Sequence, residues 1–538
     1  SQGNIAFFSQ SGALCVAILD WAPGEGVGFS KFVSLGNKSD LSETELMNYL
    51  AGDVSTKVVL GYLEGISDGQ AFMEVARKTA RQKPIIITKA GGTAAGAKAA
   101  SSHTGSLAGS EKSIRAAFKQ SGIIRAETVS ELFDYALAFA CQPVPQGTRL
   151  AILTNSGGPG IMAADAIERH GLHLASFTRE TQEKLRSFLP SIASVYNPVD
   201  IIGDARAERY DQSLKLLLND PQVDGVLVIL TPTAIIDVDE TANIVAEHSS
   251  KSKKPVLASF MGGVSVKQGI KILQSHKIPN YTYPEEAVKV YRIMSDYYRW
   301  LHTSQPSYRR FKPRKQAVKS FFKKTREKRI YNLGEQEARD IIAAYGFKTP
   351  QSSLVMTSEE ALTAARKIGY PVVMKIVSPD ILHKTDVGGV RVGIENAQQV
   401  EEAFFDITAQ SQQYSPQATI LGVSIQEMVK GGKEVILGMS KDVQFGPLIM
   451  FGLGGIYVEV LKDVSFRIAP LSVEDADQMI REINAYPLLR GTRGEKPTDI
   501  AALSECLLRL SQLVTDNPEI LELDINPLIV KAEGEGAV

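Results

Sequence analysis

Gly3-Asn4-Ile5-Ala6-Phe7-Phe8-Ser9-Gln10-Ser11-Gly12 opens the chain, and Arg149-Leu150-Ala151-Ile152-Leu153-Thr154-Asn155-Ser156-Gly157-Gly158-Pro159-Gly160 returns to the same plan. In each, an apolar run (Asn4–Phe8, Arg149–Thr154) reads as a strand that turns through small residues into a helix. The first of these helices is expected over Gly12–Trp21. Around the first copy, Lys57–Leu63 and Pro84–Lys89 read as strands and Gly69–Thr79 as a helix. Strands alternating with helices predict a parallel sheet covered on both faces. Around the second copy, Gly225–Leu230 corresponds to Val58–Leu63 and Lys254–Ser259 to Lys83–Thr88. Asn197–Asp200 corresponds loosely to Ser34–Asn37 with Asp40. Two similar doubly wound domains in tandem are expected, joined by Gln142-Pro143-Val144-Pro145-Gln146-Gly147 as a linker.

Beyond them, residues 309–329 hold eleven Lys/Arg and one Glu. In a chain of net charge -1 such a run reads as a solvated linker or an interdomain surface, not as a nucleic-acid patch. From Gly334 the pattern changes. Helix Gln336–Tyr345, strand Ser353–Met356, helix Ser358–Lys367, strand Pro371–Val377 and a final strand Ile520–Asp524 predict an α+β domain. The expected fold class is α/β, with two doubly wound domains (1–145 and 146–303), a basic linker (304–333) and an α+β domain (334–538).

The 538 residues, 44% hydrophobic and 22% charged, fit an ordinary globular chain of several domains. No apolar run approaches 18 residues, so no membrane helix is expected. Cys15, Cys141 and Cys506 match no metal or redox spacing and fit a reducing, cytoplasmic setting. The chain begins at Ser1 close to a strand, so an upstream segment is expected.

The two strand-to-helix turns offer unsatisfied helix N–H groups to an anion. Ser9, Ser11 and Gly12 in the first, and Gly157 and Gly158 in the second, are candidate phosphate-binding residues. Neither turn has a Walker lysine or a dinucleotide fingerprint. Only the first domain carries Ser101-Ser102-His103-Thr104-Gly105-Ser106-Leu107-Ala108-Gly109. Among small residues, the His103 imidazole is accessible as a nucleophile near neutral pH. From this segment alone, an incidental histidine in a Ser/Gly loop is an equal alternative. Glu64, at the C-terminal end of an apolar strand, lies where doubly wound sheets form their crevice, and its carboxylate can orient an imidazole. His170, His173, His248, His276 and His302 lie in helical or linker contexts and read as structural or solvated.

In the last domain, the loop Ser378–Val390 carries Gly388 and Gly389, whose amides can cover phosphates, and Lys375 can neutralise them. Gln426-Glu427-Met428-Val429 can supply an adenine-binding edge, and Glu434 can hold a ribose. Asp524 and Asn526, two apart on a strand, share one face and can meet a metal or a phosphoryl group. Lys462-Asp463 and Arg467 form a second charged set.

Together these residues resemble the nucleoside-diphosphate-forming acyl-CoA synthetases, relatives of succinyl-CoA synthetase, and most of all the ADP-forming acetyl-CoA synthetases. The resemblance covers essentially the whole chain. It implies flavodoxin-like folds for the first two domains and an ATP-grasp fold for 334–538. Ser102–Ser106 is similar to the family's phosphohistidine loop, Ser9–Gly12 to its phosphate-binding helix start and Glu64 to its histidine partner. The resemblance implies formation of an acyl phosphate from acyl-CoA and phosphate, transfer of the phosphoryl group to His103, and a swing of the loop to the nucleotide, where ADP becomes ATP. His383 would relay the phosphoryl group. Asp524 would hold a histidine near the nucleotide. Lys375, Gly388, Gly389, Glu427, Val429, Glu434 and Arg467 would contact ATP or ADP, and Asp463 with Asn526 would hold Mg²⁺. A homodimer is expected, with no nucleic-acid or membrane partner. The family's CoA-binding domain normally precedes Gly3-Asn4-Ile5, and the chain as given lacks it. On that ground the chain alone is expected to retain histidine phosphorylation by ATP and to lose thioester chemistry.

A physical argument favours a carrier. Two phosphate sites on separate domains cannot share an in-line transition state, and the Ala- and Gly-rich run 91–102 suits a moving loop. The acid is not legible. Its pocket is expected near Gly157–Gly160 and Asn197–Asp200. The competing reading is the acyl-CoA-sensing, synthetase-like part of a protein lysine acetyltransferase. Retention of His103, His383 and Asp524 counts against it.

Overall fold

The computed structural model describes residues 2–38, 40–93, 95–96, 110–381, 384, 387–455, 458, 460–492 and 494–538. They fall into two compact units, Ser1–Gln305 with Val443–Phe445, and Pro306–Asp442 with Gly446–Val538.

The first unit holds two parallel sheets. Strands β1 (Gln2–Ser9), β2 (Phe29–Ser34), β3 (Val58–Leu63), β4 (Ile85–Lys89) and β5 (Ile124–Arg125) lie in the order β2-β1-β3-β4-β5. Strands β6 (Arg149–Thr154), β7 (His173–Leu174), β8 (Val199–Asp200), β9 (Gly225–Leu230) and β10 (Val256–Phe260) lie in the order β10-β9-β6-β7, with β8 also on β6. β3, β4, β9 and β10 are apolar on both faces, as a sheet covered on both sides demands. At Gly61 in β3 a Cβ would come within 2.7 Å of the Phe8 ring. The missing side chain is what lets that ring lie across the neighbouring strand.

The two sheets share one hydrophobic core. Ile5, Phe7, Leu60 and Ile86 of the first belong with Ile152, Leu227, Ile229 and Leu257 of the second, bridged by helices Val129–Cys141 and Pro284–Leu301. The Pro-rich segment between them is not a free linker. Gln142 is buried, its amide donates to the Lys277 carbonyl (2.9 Å), and its carbonyl accepts from Val256 N–H (2.9 Å). Tyr297 of the bridging helix donates to the Ala80 carbonyl (2.7 Å).

The second unit holds two antiparallel sheets. Strands β11 (Ser352–Val355), β12 (Val372–Val377), β13 (Val390–Ile394) and β14 (Gly422–Glu427) run β11-β14-β12-β13. Strands β15 (Lys433–Asp442), β16 (Gly446–Leu453), β17 (Val464–Ile468) and β18 (Glu522–Val530) run β17-β16-β15-β18. The last strand therefore continues past Asp524, through the cis Asn526–Pro527 bond, to Val530. Pro527 sits in a register break between the Leu437–Ile525 and Val435–Leu528 pairs, where a proline needs no ladder bond. Helix Val473–Glu482 and helix Ile500–Asp516 cover one face of this sheet through Leu437, Ile449, Phe451 and Leu528.

The basic run at 309–329 is built into this unit. Its helix Lys315–Glu327 buries Val318 against Leu513 and Tyr345. Lys315 pairs with Asp516 (2.6 Å), Arg309 with Glu505 (3.2 Å), and the Arg509 guanidinium stacks 4.1 Å above Phe311. Amphipathic spacing carries the apolar side inward and leaves the cations facing acidic residues of the C-terminal helix and the turn that follows it.

Candidate phosphate and nucleotide sites

The strand order of the first sheet changes direction between β1 and β3, the switch point where doubly wound sheets bind ligands. The turn after β1 is held by its own side chains. Ser9 Oγ donates to the Ser11 carbonyl (2.9 Å) and accepts from Ser11 N–H (3.0 Å), while Ser11 Oγ accepts from Leu14 N–H (3.3 Å) to cap helix Gly12–Trp21. Ser9 Oγ is thus engaged as both donor and acceptor, and Ser9 is fully buried. The Ser11 hydroxyl, which accepts from Leu14, keeps its O–H as a donor beside the backbone N–H groups at the helix start. Gly12 is exposed, and a Cβ there would meet nothing within 4 Å. The second domain repeats the first two of these bonds, with no side-chain cap at Ser156. Thr154 Oγ1 donates to the Ser156 carbonyl (2.9 Å) and accepts from Ser156 N–H (3.1 Å). Gly158 is exposed and open to solvent, whereas Gly157 lies 3.4 Å, at its Cβ position, from Asp200 Oδ2.

A residue missed by sequence reading sits inside each turn. Gln10 accepts from the N–H groups of Glu64 (2.6 Å) and Gly65 (2.9 Å) and donates to the Gly65 carbonyl (2.8 Å). Asn155 does the same to Thr231, accepting from its N–H (2.9 Å) and hydroxyl (3.1 Å) and donating to its carbonyl (2.8 Å). Strand register makes Glu64 and Thr231 equivalent, each two residues beyond the partner of the turn's first residue (Tyr62 opposite Ser9, Ile229 opposite Thr154), and of the two only Glu64 carries a carboxylate. An amide at the same place in both copies was the available signal. Lys38 and the buried Glu43 support the Glu64 turn further. Lys38 Nζ donates to the Gly65 carbonyl (3.2 Å) and Ser67 Oγ (2.8 Å), and Glu43 accepts from Ser67 N–H (2.8 Å). Lys89, only 6% exposed, donates to the carbonyls of Glu64 (2.7 Å) and Ala90 (2.6 Å). Burial, then the nearby Arg125, lowers its ammonium to about 8. His103 and the rest of 97–109 lie outside the described residues. In the region expected to hold the acid, Asn197 is structural. It donates to the carbonyls of Leu150 (2.8 Å) and Ala175 (3.1 Å) and accepts from Ile152 N–H (3.0 Å).

In the second unit, cross-strand register sorts the candidates by face. Asp524 stands opposite Gly438, Gly438 opposite Met450, and Met450 opposite Phe466. This is the face away from the covering helices, and Asp524, Asn526 and Glu434 are all exposed on it. The protein packed around the Asp524 carboxyl raises it above the usual aspartate range. A Cβ at Gly438 would lie 3.9 Å from Asp524 Oδ1 and 3.0 Å from Met450 Cε, so the glycine keeps the floor beneath Asp524 low.

Arg467 and Asp463 lie away from this face. Arg467 lies opposite Ile449 on the helix-covered face and is 2% exposed. Its guanidinium binds Glu482 through two nitrogens (2.5 and 3.0 Å). Asp463 is buried and accepts from Asn484 N–H (2.8 Å), Asn484 Nδ2 (3.1 Å) and Ala485 N–H (2.8 Å). Both residues are consumed in fastening helix Val473–Glu482 and the turn after it. Asp463 precedes β17 and Asn526 lies on β18, at opposite edges of the four-stranded sheet, and among the described residues no group of three or more His, Cys, Asp or Glu side chains is placed to hold a metal.

On the other sheet, Lys375, Ser424 and Gln426 share the face opposite the hydrophobic core, since Lys375 pairs with Ser424 and Val373 with Gln426. Glu427 is exposed at the end of β14 and Val429 is half-buried beyond it. Gly388, at φ +65°, and Gly389 close the loop after β12, with Gly389 N–H donating to the Lys384 carbonyl (2.8 Å). His383 lies outside the described residues.

Comparisons with known proteins agree with this architecture. The succinyl-CoA ligase like flavodoxin domain matches residues 2–139, the Ligase-CoA domain 150–306 and the ATP-grasp domain 324–538. The chain is 49% identical to an ADP-forming acetate–CoA ligase of Archaeoglobus fulgidus, over 100% of this chain and 77% of that protein. It is 45% identical to an ADP-forming 4-hydroxybutyrate–CoA ligase of Nitrosopumilus maritimus, over 99% of this chain and 77% of that protein. Among solved structures, an acetyl-coenzyme A synthetase of Ca. Korarchaeum cryptofilum in complex with phosphate and ADP superposes with a TM-score of 0.54 at 36% identity, covering 56% of this chain and 68% of that one. With its two doubly wound sheets, its antiparallel ATP-grasp sheets and these identities over 99–100% of the chain, the chain belongs to the ADP-forming acyl-CoA synthetase family.

Proposed function

We propose that this chain interconverts acyl-CoA, ADP and phosphate with a carboxylic acid, CoA and ATP, through a phosphoryl group carried on His103, with acetate the first acid to test. The observation that carries the reading is an asymmetry between two copies. Gln10 and Asn155 grip the same turn, but the first copy presents Glu64 where the second presents Thr231. Only the copy with the carboxylate is followed by the His103 segment.

In this mechanism the helix start at Gly12 binds phosphate through backbone N–H groups. Phosphate attacks the acyl-CoA carbonyl, the C–S bond breaks and CoA thiolate leaves. One His103 ring nitrogen attacks the phosphorus of the acyl phosphate, the P–O bond to the acyl group breaks and the carboxylate leaves. Glu64 accepts the proton-bearing ring nitrogen and so presents the other one. At the second unit a His383 ring nitrogen attacks the phosphorus and the His103 imidazole leaves; a β-phosphate oxygen of ADP then displaces His383, forming ATP. Asp524 orients a histidine there on the open face. Glu427, Val429 and Glu434 hold the nucleoside and Lys375, Gly388 and Gly389 the phosphates. Mg²⁺, brought with the nucleotide and within reach of the exposed Asn526, would offset charge on the transferring phosphoryl group.

The test is incubation of the chain with γ-labelled ATP and Mg²⁺. Acid-labile, base-stable label on the His103 peptide that is absent in His103→Ala supports the reading. Replacing Asp524 by Asn slows this labelling by about 10²-fold, whereas Glu64→Gln, which acts at the acyl-phosphate site, leaves it within about threefold and instead slows loss of the label to added acetate by about 10²-fold. An unlabelled wild-type protein overturns it.

A further inference from the structure

Four side chains from separate segments converge on the carboxylate of Glu335, the first residue of helix Glu335–Ala344. Lys384, from the glycine-bearing loop, reaches Oε2 at 2.6 Å. Arg339, one turn along the same helix, reaches Oε1 at 3.0 Å, and Gln426 Nε2 donates to that oxygen at 2.8 Å. Lys375 of β12 stands 3.6 Å from it. Arg339 in turn donates to Gln426 Oε1 (2.8 Å), which closes the network. Burial alone would lift this carboxyl, but Lys375 and then Lys384 hold it down to about 2. Glu335, Arg339, Val377, Ser424 and Gln426 also line a small cavity.

One anion against three cations leaves a net charge of +2 in a half-buried pocket. Packing three like charges together is unfavourable unless an anion sits among them. From this we infer that Glu335 is a positioning residue for the nucleotide: its carboxylate gathers Lys375 and Lys384 into one pair that meets the polyphosphate. The strength of the contacts differs in a useful way. Lys384, tightly bound, keeps the glycine loop drawn toward helix Glu335–Ala344. Lys375, beyond hydrogen-bond distance, is free to transfer its charge to a phosphate oxygen. Without the carboxylate, Lys384 loses its anchor and the lysines repel one another. Glu335 itself contacts no phosphate, since it carries the same sign of charge.

This inference rests on the assignment of Lys375 and the Gly388–Gly389 loop to the nucleotide. The experiment measures binding of ADP and of adenosine to the full chain by calorimetry and by competition. Wild-type protein that binds neither refutes the nucleotide assignment and the inference with it. Given wild-type binding, Glu335→Gln is expected to weaken ADP about tenfold, the size of one lost charge-assisted hydrogen bond. Adenosine affinity should stay within about twofold, because adenosine has no phosphate for the lysines to meet. Glu335→Asp, which keeps the charge on a shorter stem, should recover most of the ADP affinity. Equal losses for ADP and adenosine would show general damage and overturn the inference. So would unchanged or tighter ADP binding in Glu335→Gln, which would make the carboxylate a mere competitor of the phosphates. If Glu335→Gln does not fold, the ADP-to-adenosine affinity ratio of Glu335→Asp decides, and a ratio equal to wild type with both affinities reduced overturns it.

Discussion

Replacing Gln10 by Ala and, separately, Asn155 by Ala divides structural support from chemistry at two equivalent turns. Each side chain makes three hydrogen bonds to the strand end beside it. At about 1 kcal/mol apiece, with backbone groups left unpaired in the variant, each substitution is expected to cost roughly 2–4 kcal/mol. Both tryptophans, Trp21 and Trp300, lie in the first unit, so urea unfolding followed by tryptophan fluorescence reports on this loss. The two variants should shift the midpoint to lower urea by similar amounts. Their effects on phosphoryl transfer from His103 to the acid should differ. Gln10 fixes the backbone of Glu64, and a displacement of about 1 Å there costs about 10²-fold in rate. Asn155 fixes Thr231, which has no carboxylate to misplace. After labelling by γ-labelled ATP, loss of label to saturating acetate should therefore slow about 10²-fold in Gln10→Ala and less than about threefold in Asn155→Ala, at temperatures where both remain folded. Gln10→Ala that loses stability yet gives up its label at the wild-type rate would refute the role given to the Glu64 position. Equal slowing in both variants would refute the asymmetry between the copies.

Further predictions concern charge and loop geometry. Burial, then Glu286, pushes the Asp134 carboxyl up to about 6. A carboxyl raised in the folded state contributes stability below about pH 4 that is lost as pH rises through about 6, so Asp134→Asn should stabilise the protein at pH 7 by about 1–2 kcal/mol after allowance for solvent screening, with no gain at pH 4. Thermal unfolding at the two pH values checks this. Lys89 runs the other way. Its folded value near 8 lies below the unfolded one near 10.4, so wild-type stability should rise between pH 8 and 10, and in Lys89→Met that slope should disappear. A Cβ at Gly389 would sit 2.6 Å from Ile376 and 2.9 Å from the Lys384 carbonyl, so Gly389→Ala should weaken ADP binding at least about tenfold in a titration while stability of the first unit is unchanged. Arg467→Ala breaks a buried pair with Glu482 and should cost about 3–5 kcal/mol. Wherever the variant stays folded, its ADP affinity should equal wild type.

How much of this was legible in the chain follows from burial and register. β3, β6 and β9 are unbroken apolar runs because both their faces are covered, and sequence reading placed their ends within a residue. β2 was missed: it is an edge strand, half-buried along most of its length, with no run to see. The alternation of Asp524 and Asn526 put both on one face correctly, because two residues on one strand share a parity. Arg467 and Asp463 could not be related to them, because parity on a different strand depends on the Met450–Phe466 register. The Glu335 network was invisible for a similar reason. Its partners come from a helix, two strands and a loop that are brought together only by the fold.

The bonding of the Ser9–Ser11 and Thr154–Ser156 turns makes their shape independent of what surrounds them. Ser9 and Thr154 each close the turn from within, as donor and acceptor to the residue two along. The N–H groups left at each helix start belong to the main chain, which among single substitutions only proline deletes. Side chains facing the turns can then change without redrawing the backbone they face.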